Sequence, residues 1–417
     1  MINSTQQPQP VLAEFNPFEP SQANDPYPMY AHAREHAPIF FSPVLNMWVV
    51  TRHEDISEIL LDPLRFSSRQ AVDAVSEMPP EVLEVLAAGL PQRDFLVNYD
   101  PPMHTSLRRL CNKAFSPQRV AAMEPRIREL TNALVDGFVK DGTADLVTRF
   151  TLPLPRIVIA EIVGVPHSDI DKFGKWAEEW TWLFIAGLPL EQQLVAARSL
   201  VALQNYTATM IDDRREHTQD DFLSDLVNAR MDDGSLLDTY TIIGLVNSFL
   251  IAGHVTTTDM ISNVLLFLLK QPELLQALVR EPRLASRLIE ESLRCDASVP
   301  GMMRVAAEDM TFKGVSMAKG SRLFLAFASA NHDEALFSDP THFDIERDNS
   351  PQHLTFGQGI HYCIGAPLAR LEGKIALEVL SQRLPNLRFQ PDQTVPYTGN
   401  LLLRGPDHLH LMWDKAV

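Results

Sequence analysis

Cysteine is scarce in this 417-residue chain: Cys111, Cys295 and Cys363 are the whole set. An odd, sparse set of thiols builds no disulfide framework and suits a reducing compartment better than a secreted one. Basic residues are also in short supply, 36 against 53 acidic, for a net charge of −17. That balance argues against broad nucleic-acid binding and against a polybasic membrane anchor, both of which need a basic surface. The opening residues carry neither a basic segment nor the apolar stretch of a secretory or transit signal, so a cytoplasmic protein is expected. Glycine-serine linkers, repeats and sharp breaks in composition are missing too. With 45% hydrophobic and 21% charged residues, the chain reads as one large globular unit. We expect a domain over 25–417, preceded by a loosely held arm over 1–24 that is rich in Pro, Gln and Asn.

What is present is mainly helical periodicity. Helices are expected over 53–61, 80–88, 104–142 with breaks, from 154 onward, 191–216, 282–295 and 367–384. The segment 172–190 is aromatic-rich (Trp176, Trp180, Trp182, Phe184) and reads as part of a lid. Strands are few: 39–41 and 47–51 around a turn, 310–315 and 322–327 around Ala318-Lys319-Gly320, and a late pair at 401–404 and 408–413. The expected class is therefore mainly α with small β-sheets. The apolar run 241–270 would span roughly 45 Å as a helix, at ~1.5 Å per residue. Asn247, His254, Thr257, Asp259 and Asn263 inside it would be costly in lipid, so a helix through the centre of a soluble domain is expected.

Cys363 sits in a loop with Gly357, Gly359 and Gly365, just before a helix that opens with Pro367. Unpaired N–H groups at a helix start favour an anion, which would hold the sulfur as thiolate. The small neighbours would let a large flat group approach it closely. An inert buried cysteine is the commoner fate of a lone thiol, but it has no need of three glycines.

The stretch Phe356-Gly357-Gln358-Gly359-Ile360-His361-Tyr362-Cys363-Ile364-Gly365-Ala366-Pro367-Leu368-Ala369-Arg370 resembles the haem-binding loop of the cytochromes P450. The resemblance implies a single P450-type domain with a long central helix and haem b ligated by Cys363. It also implies insertion of one oxygen atom from O2 into an apolar small molecule, as hydroxylation or epoxidation. Phe356, Gly357 and Gly365 would shape the cofactor loop. Haem carries two carboxylates, and one charge pair at ~4 Å is worth about 4 kcal/mol at an effective dielectric of ~20, before desolvation. His104, Arg108, Arg304 and His361 stand at the matching positions to partner them. Glu291 and Arg294, one helical turn apart, match the family's Glu-x-x-Arg pair, and Arg347 would complete a buried structural network with them.

Across the cofactor, Ala252, Gly253 and Thr256 match the oxygen-handling turn of the family's central helix. This chain departs at the position just before Thr256, where the family's usual acid is replaced by Val255. Valine carries no proton, so the standard proton route is in question. Water held by Thr256, an acid such as Asp259, or a peroxide-driven or isomerising chemistry on the same fold are the alternatives. Leu245, Phe249, Val299, Met302, Met303, Asn400 and Leu401 are candidate substrate contacts. No flavin- or nicotinamide-binding stretch is visible, so a ferredoxin or flavodoxin with its NAD(P)H-dependent reductase is the expected electron source. Arg108, Arg109, Lys113, Arg370 and Lys374 would dock it. Nucleic acid and membrane are not expected as partners, and a monomer is. A cysteine-nucleophile hydrolase would leave the arginines and the central helix without a role.

Overall fold

The computed structural model describes residue 12 and residues 14–72, 78–184, 187–397 and 400–415. Its organising element is the helix Thr239–Lys270, 32 residues long and roughly 48 Å at ~1.5 Å per residue. Asp238 starts it: its carboxylate accepts from the backbone N–H groups of Tyr240 and Thr241, at 3.0 and 3.1 Å. It stops at Gln271, because the residue before Pro272 is pushed out of helical geometry. The helices Pro153–Val163, Leu190–Glu216, Ala285–Cys295 and Ala366–Arg383 pack around it.

Among the described residues this is the one helix long and apolar enough to cross a membrane by length and composition. Several of its polar residues bond to the surrounding fold. Asn263 donates to the carbonyls of Arg404 and Asp296, Thr258 donates to that of Thr151, and Ser262 bonds the Thr151 hydroxyl. It is a core helix, as expected.

The β-structure is small. A five-stranded sheet runs in the order Ile39–Ser42, Met47–Val50, Arg322–Leu325, Met302–Ala306 and Phe66–Ser67. All neighbours are antiparallel except Met47–Val50 with Arg322–Leu325, which are parallel. Period-2 alternation splits this sheet between two small cores. Trp48, Val50, Leu323 and Leu325 face one of them, and Met47, Val49, Met303 and Phe324 face the other.

Two strand expectations fail for local reasons. Residues 310–315 do not form one strand paired with 322–327. The chain turns at Lys313-Gly314, both at positive φ, so Met310–Phe312 pairs with Val315–Met317. Arg322–Leu325 pairs instead with Met302–Ala306, a strand the sequence did not announce. Residues 401–404 are not a strand either. The Asn400 side chain accepts from the N–H groups of Leu402 and Leu403, at 2.8 and 3.3 Å, and bends the chain. The late strand His410–Met412 pairs with Thr143–Asp145 and Arg388–Phe389.

The arm expected over 1–24 is only partly covered, since residues 1–11 and 13 lie outside the described ones. The later part is fastened rather than loose. Phe15 is buried against Tyr30 and Phe40, and Pro20–Asn24 is helical. Arg404 donates to the carbonyls of Ala23 and Asn24 while paired to Asp296, at 2.6 Å. Glu291, Arg294 and Arg347 also come together as expected. Both Glu291 oxygens accept from Arg294, at 2.7 and 2.9 Å, and one accepts from Arg347 at 3.2 Å. The Arg294 and Arg347 guanidinium groups then fasten the carbonyls of Asn331, Pro340 and Ser338, upstream of the cysteine loop.

Candidate active site

The cysteine loop and the central helix face each other across a cavity of about 260 Å³. Gly357 and Gly359 hold the loop's turns at φ +67° and +71°. At Gly359 a side chain is also excluded by space, since a Cβ there would lie 2.6 Å from the Leu60 carbonyl. Gly365 ends the loop and caps the helix Ala366–Arg383. A Cβ there would stand 3.8 Å from the Cys363 sulfur. The sulfur accepts from the N–H groups of Gly365 and Ala366, the helix-start donors anticipated from sequence.

The expectation that these donors set the thiol's ionisation fails. Burial pushes the Cys363 thiol up and outweighs those N–H groups together with Arg108 and Arg370. A free thiolate nucleophile gains nothing from that burial. A bound cation, by contrast, deprotonates a coordinating thiol outright.

One edge of the cavity is basic. His104 and His361 bring their rings to 4.0 Å, and Arg108 and Arg304 line the same edge. Both ring nitrogens of His104 and Nε2 of His361 are buried without a partner among the described residues. Burial holds His104 down to about 4 and His361 to about 2, and lowers Arg304 to about 10. Crowded basic groups with unused donors form a cradle for carboxylates, and they fit the two propionates of haem. Phe356, Gly357, Cys363 and Gly365 line the cavity with them.

Opposite, Ala252, Gly253 and Thr256 line the wall as expected. The Thr256 hydroxyl donates to the Ala252 carbonyl at 2.6 Å, so its lone pairs are what it offers to the cavity. Val255 is half-buried and off the wall. Asp259, the alternative acid, is also off the wall. It packs against Gly405, where a Cβ would lie 2.2 Å from its carboxylate, and burial raises it far above the usual range.

Of the expected substrate contacts, Phe249, Val299 and Met302 line the cavity. Leu245 does not; it is 1% exposed, further along the central helix in the helical core. Met303 points to the opposite face of the sheet from Met302. The Asn400 turn keeps Asn400 and Leu401 off the wall and brings Leu402 and Leu403 to it. Trp180 stands behind the wall, its ring 5.3 Å from Phe95, and the Phe184 side chain is outside what the structure describes. Sequence reasoning missed Phe95, Leu96 and Val97, whose signal was an apolar triplet inside a long irregular segment. It also missed Glu372, which carried no signal.

The family model "Cytochrome P450" matches residues 180–411. Cytochrome P450 107B1 of Saccharopolyspora erythraea is 36% identical over 94% of this chain and 96% of its own length. Mycinamicin IV hydroxylase/epoxidase of Micromonospora griseorubida is 37% identical over 88% of this chain and 89% of its own. The crystal structure of an intact type IV self-sufficient cytochrome P450 monooxygenase superposes with a TM-score of 0.91 at 33% identity. That match covers 97% of this chain, which spans about half, 53%, of that longer protein.

Proposed function

Because this chain belongs to the cytochrome P450 family and is a haem-dependent monooxygenase, we propose that it hydroxylates or epoxidises a neutral, apolar small molecule. Haem bound through a thiolate supplies dioxygen activation, which thiolate donation favours. Cys363 is the ligand, and His104, Arg108, Arg304 and His361 hold the propionates. Glu291, Arg294 and Arg347 brace the loop. The observation that carries this reading is the single cavity shared by the Cys363 sulfur, the basic cradle and the Ala252–Thr256 turn.

The neutral substrate is supported by the rest of the wall. Phe95, Val97, Phe249, Val299, Leu402 and Leu403 offer apolar surface, and the Ser248 hydroxyl is spent on the Gly244 carbonyl. The residues orient such a molecule by shape and exclude water from it. Thr256 holds a water through its lone pairs beside Ala252.

Residues 25–417 form the catalytic unit, a cytoplasmic monomer, with residues 14–24 as a clasp. Electrons come from a ferredoxin or flavodoxin and its NAD(P)H-dependent reductase. The basic docking patch is weaker than its charges suggest. Arg109 pairs with Asp232, Arg370 with Glu290 and Lys374 with Glu378, while Lys113 has no ion pair among the described residues.

The test is the spectrum of the reduced, carbon-monoxide-bound protein. The thiolate signature is expected in the wild type and absent in Cys363→His, and a wild type without it overturns the reading. A second reading, turnover driven by peroxide, is favoured by the absence of an acid at Val255. Product formed with peroxide and no reductase, at the rate seen with a donor protein, would establish it.

A further inference from the structure

Two stretches of the cavity wall lack the support of regular structure. Ser298 and Val299 follow the helix Ala285–Cys295, and Leu402 and Leu403 follow the Asn400 turn. Neither stretch belongs to a helix or a strand, so no ladder of backbone bonds fixes where it stands. What they share is a root. The Arg404 N–H, directly after Leu403, donates to the Ser298 carbonyl at 3.0 Å. The Arg404 guanidinium donates to the carboxylate of Asp296, just upstream of Ser298, at 2.6 Å.

That root is tied to an early part of the chain. The hydroxyls of Tyr27 and Tyr397 donate to the two Asp296 oxygens, at 2.7 and 2.9 Å. Arg404 also donates to the Ala23 and Asn24 carbonyls, at 2.6 and 3.0 Å, and its guanidinium carbon lies 4.0 Å from the centre of the Tyr397 ring. The Asn24 side chain accepts from the Tyr397 N–H at 3.0 Å. Burial works against the charge on Arg404, but Asp296 beside it holds the guanidinium well above the ordinary arginine range. Apolar side chains of the same volume often stabilise as much as a buried pair of this kind. What the pair adds is direction, since each bond fixes one group at a set distance and angle. None of Asn24, Tyr27, Asp296 and Arg404 lines the cavity itself.

We propose that Arg404, acting through Asp296, is a positioning residue for substrate. The early segment that carries Asn24 and Tyr27 sets how closely Ser298, Val299, Leu402 and Leu403 close on an apolar chain. This rests on the monooxygenase reading. Cys363 and the basic cradle stand on other elements, so the hold on substrate is separable from the hold on haem. An alkyl group laid along the wall gains affinity with the apolar surface it buries, and a wall that stands back leaves part of that surface wet.

The test uses the holoenzyme and two iron-ligating probes, N-methylimidazole and N-hexylimidazole, read by the shift of the haem absorption. The methyl compound reports access to iron, and the hexyl compound adds the wall. Wild type should bind the hexyl compound many-fold more tightly. That advantage should shrink several-fold in Arg404→Gln and recover in part in Arg404→Lys, with the methyl affinity unchanged. It should shrink as well in the double variant Asn24→Ala/Tyr27→Phe, which keeps Arg404, Asp296 and both wall stretches. A merely structural role would lower stability and leave the ratio of the two affinities where it was. An unchanged ratio in either variant with the thiolate spectrum intact, or a wild type that does not prefer the hexyl compound, overturns the proposal alone. A wild type without the thiolate spectrum overturns it together with the functional reading. The double variant removes no charge, so a failure of Arg404→Gln to fold leaves the test standing.

Discussion

The position beside Thr256 is apolar, Val255, while Glu372 on the cysteine-loop helix is an enclosed carboxyl. Val255→Glu should raise the share of reducing equivalents recovered in product, because it offers a proton carrier near Thr256. Product per NAD(P)H consumed measures this, and an unchanged ratio with the fold intact would show that position 255 does not limit proton delivery. Cys363 and His361 sit in a dense local pattern, whereas His104, Arg108 and Arg304 were named only through the family resemblance; the structure brings all five to one cavity. Glu372 was not legible in the sequence. A lone glutamate on a helix reads as a solvated residue, and its burial depends on Met260, which lies more than a hundred residues earlier. The direction of the Cys363 shift was also out of reach, because helix-start donors can be read from glycine and proline but desolvation cannot.

Elements with a clear period and a clear stop were legible almost to the residue. His53–Leu61 ends before Pro63, and Thr239–Lys270 runs from Asp238 to Pro272. Met302–Ala306 was not legible, because a strand buried on both faces shows no alternation; its neighbours are Arg322–Leu325 and Phe66–Ser67. Gly301, just before that strand, is packed against its partner. A Cβ there would lie 2.4 Å from Phe324 Cζ and 2.6 Å from the Leu325 carbonyl. Gly301→Ala should therefore cost about 1–3 kcal/mol in urea unfolding, as overpacking does. The cost should come with a weaker hold on haem, since Met302 and Arg304 follow directly on the cavity wall. A variant as stable as wild type would mean that the strand shifts without strain.

At the scale of the molecule, Glu290 ties three parts of the chain together. It receives Arg370 at 2.5 and 3.0 Å and lies 3.5 Å from the His353 ring nitrogen, so its own helix meets the cysteine-loop helix and the loop's approach there. Burial alone would raise this carboxyl, but His353 and Arg370 hold it down to about 2. A carboxylate depressed on folding stabilises the protein fully above its ordinary value near 4.5 and loses that contribution as pH falls toward 2. Denaturation across that window should show stability falling with acid in wild type. Glu290→Gln should be less stable at neutral pH and flatter below 4.5, and equal slopes would count against the bridge. The cavity itself has one more consequence, which concerns time. Its walls run from Leu60 to Leu403, with Cys363 near the end of the chain. At ~5–20 residues per second, a ribosome that has made Leu60 needs about 15–60 s to reach the cysteine. Through that interval the early apolar walls wait without their partner. The loop that carries Cys363 is therefore among the last parts made, and the cavity can close around a cofactor only late in synthesis or after it.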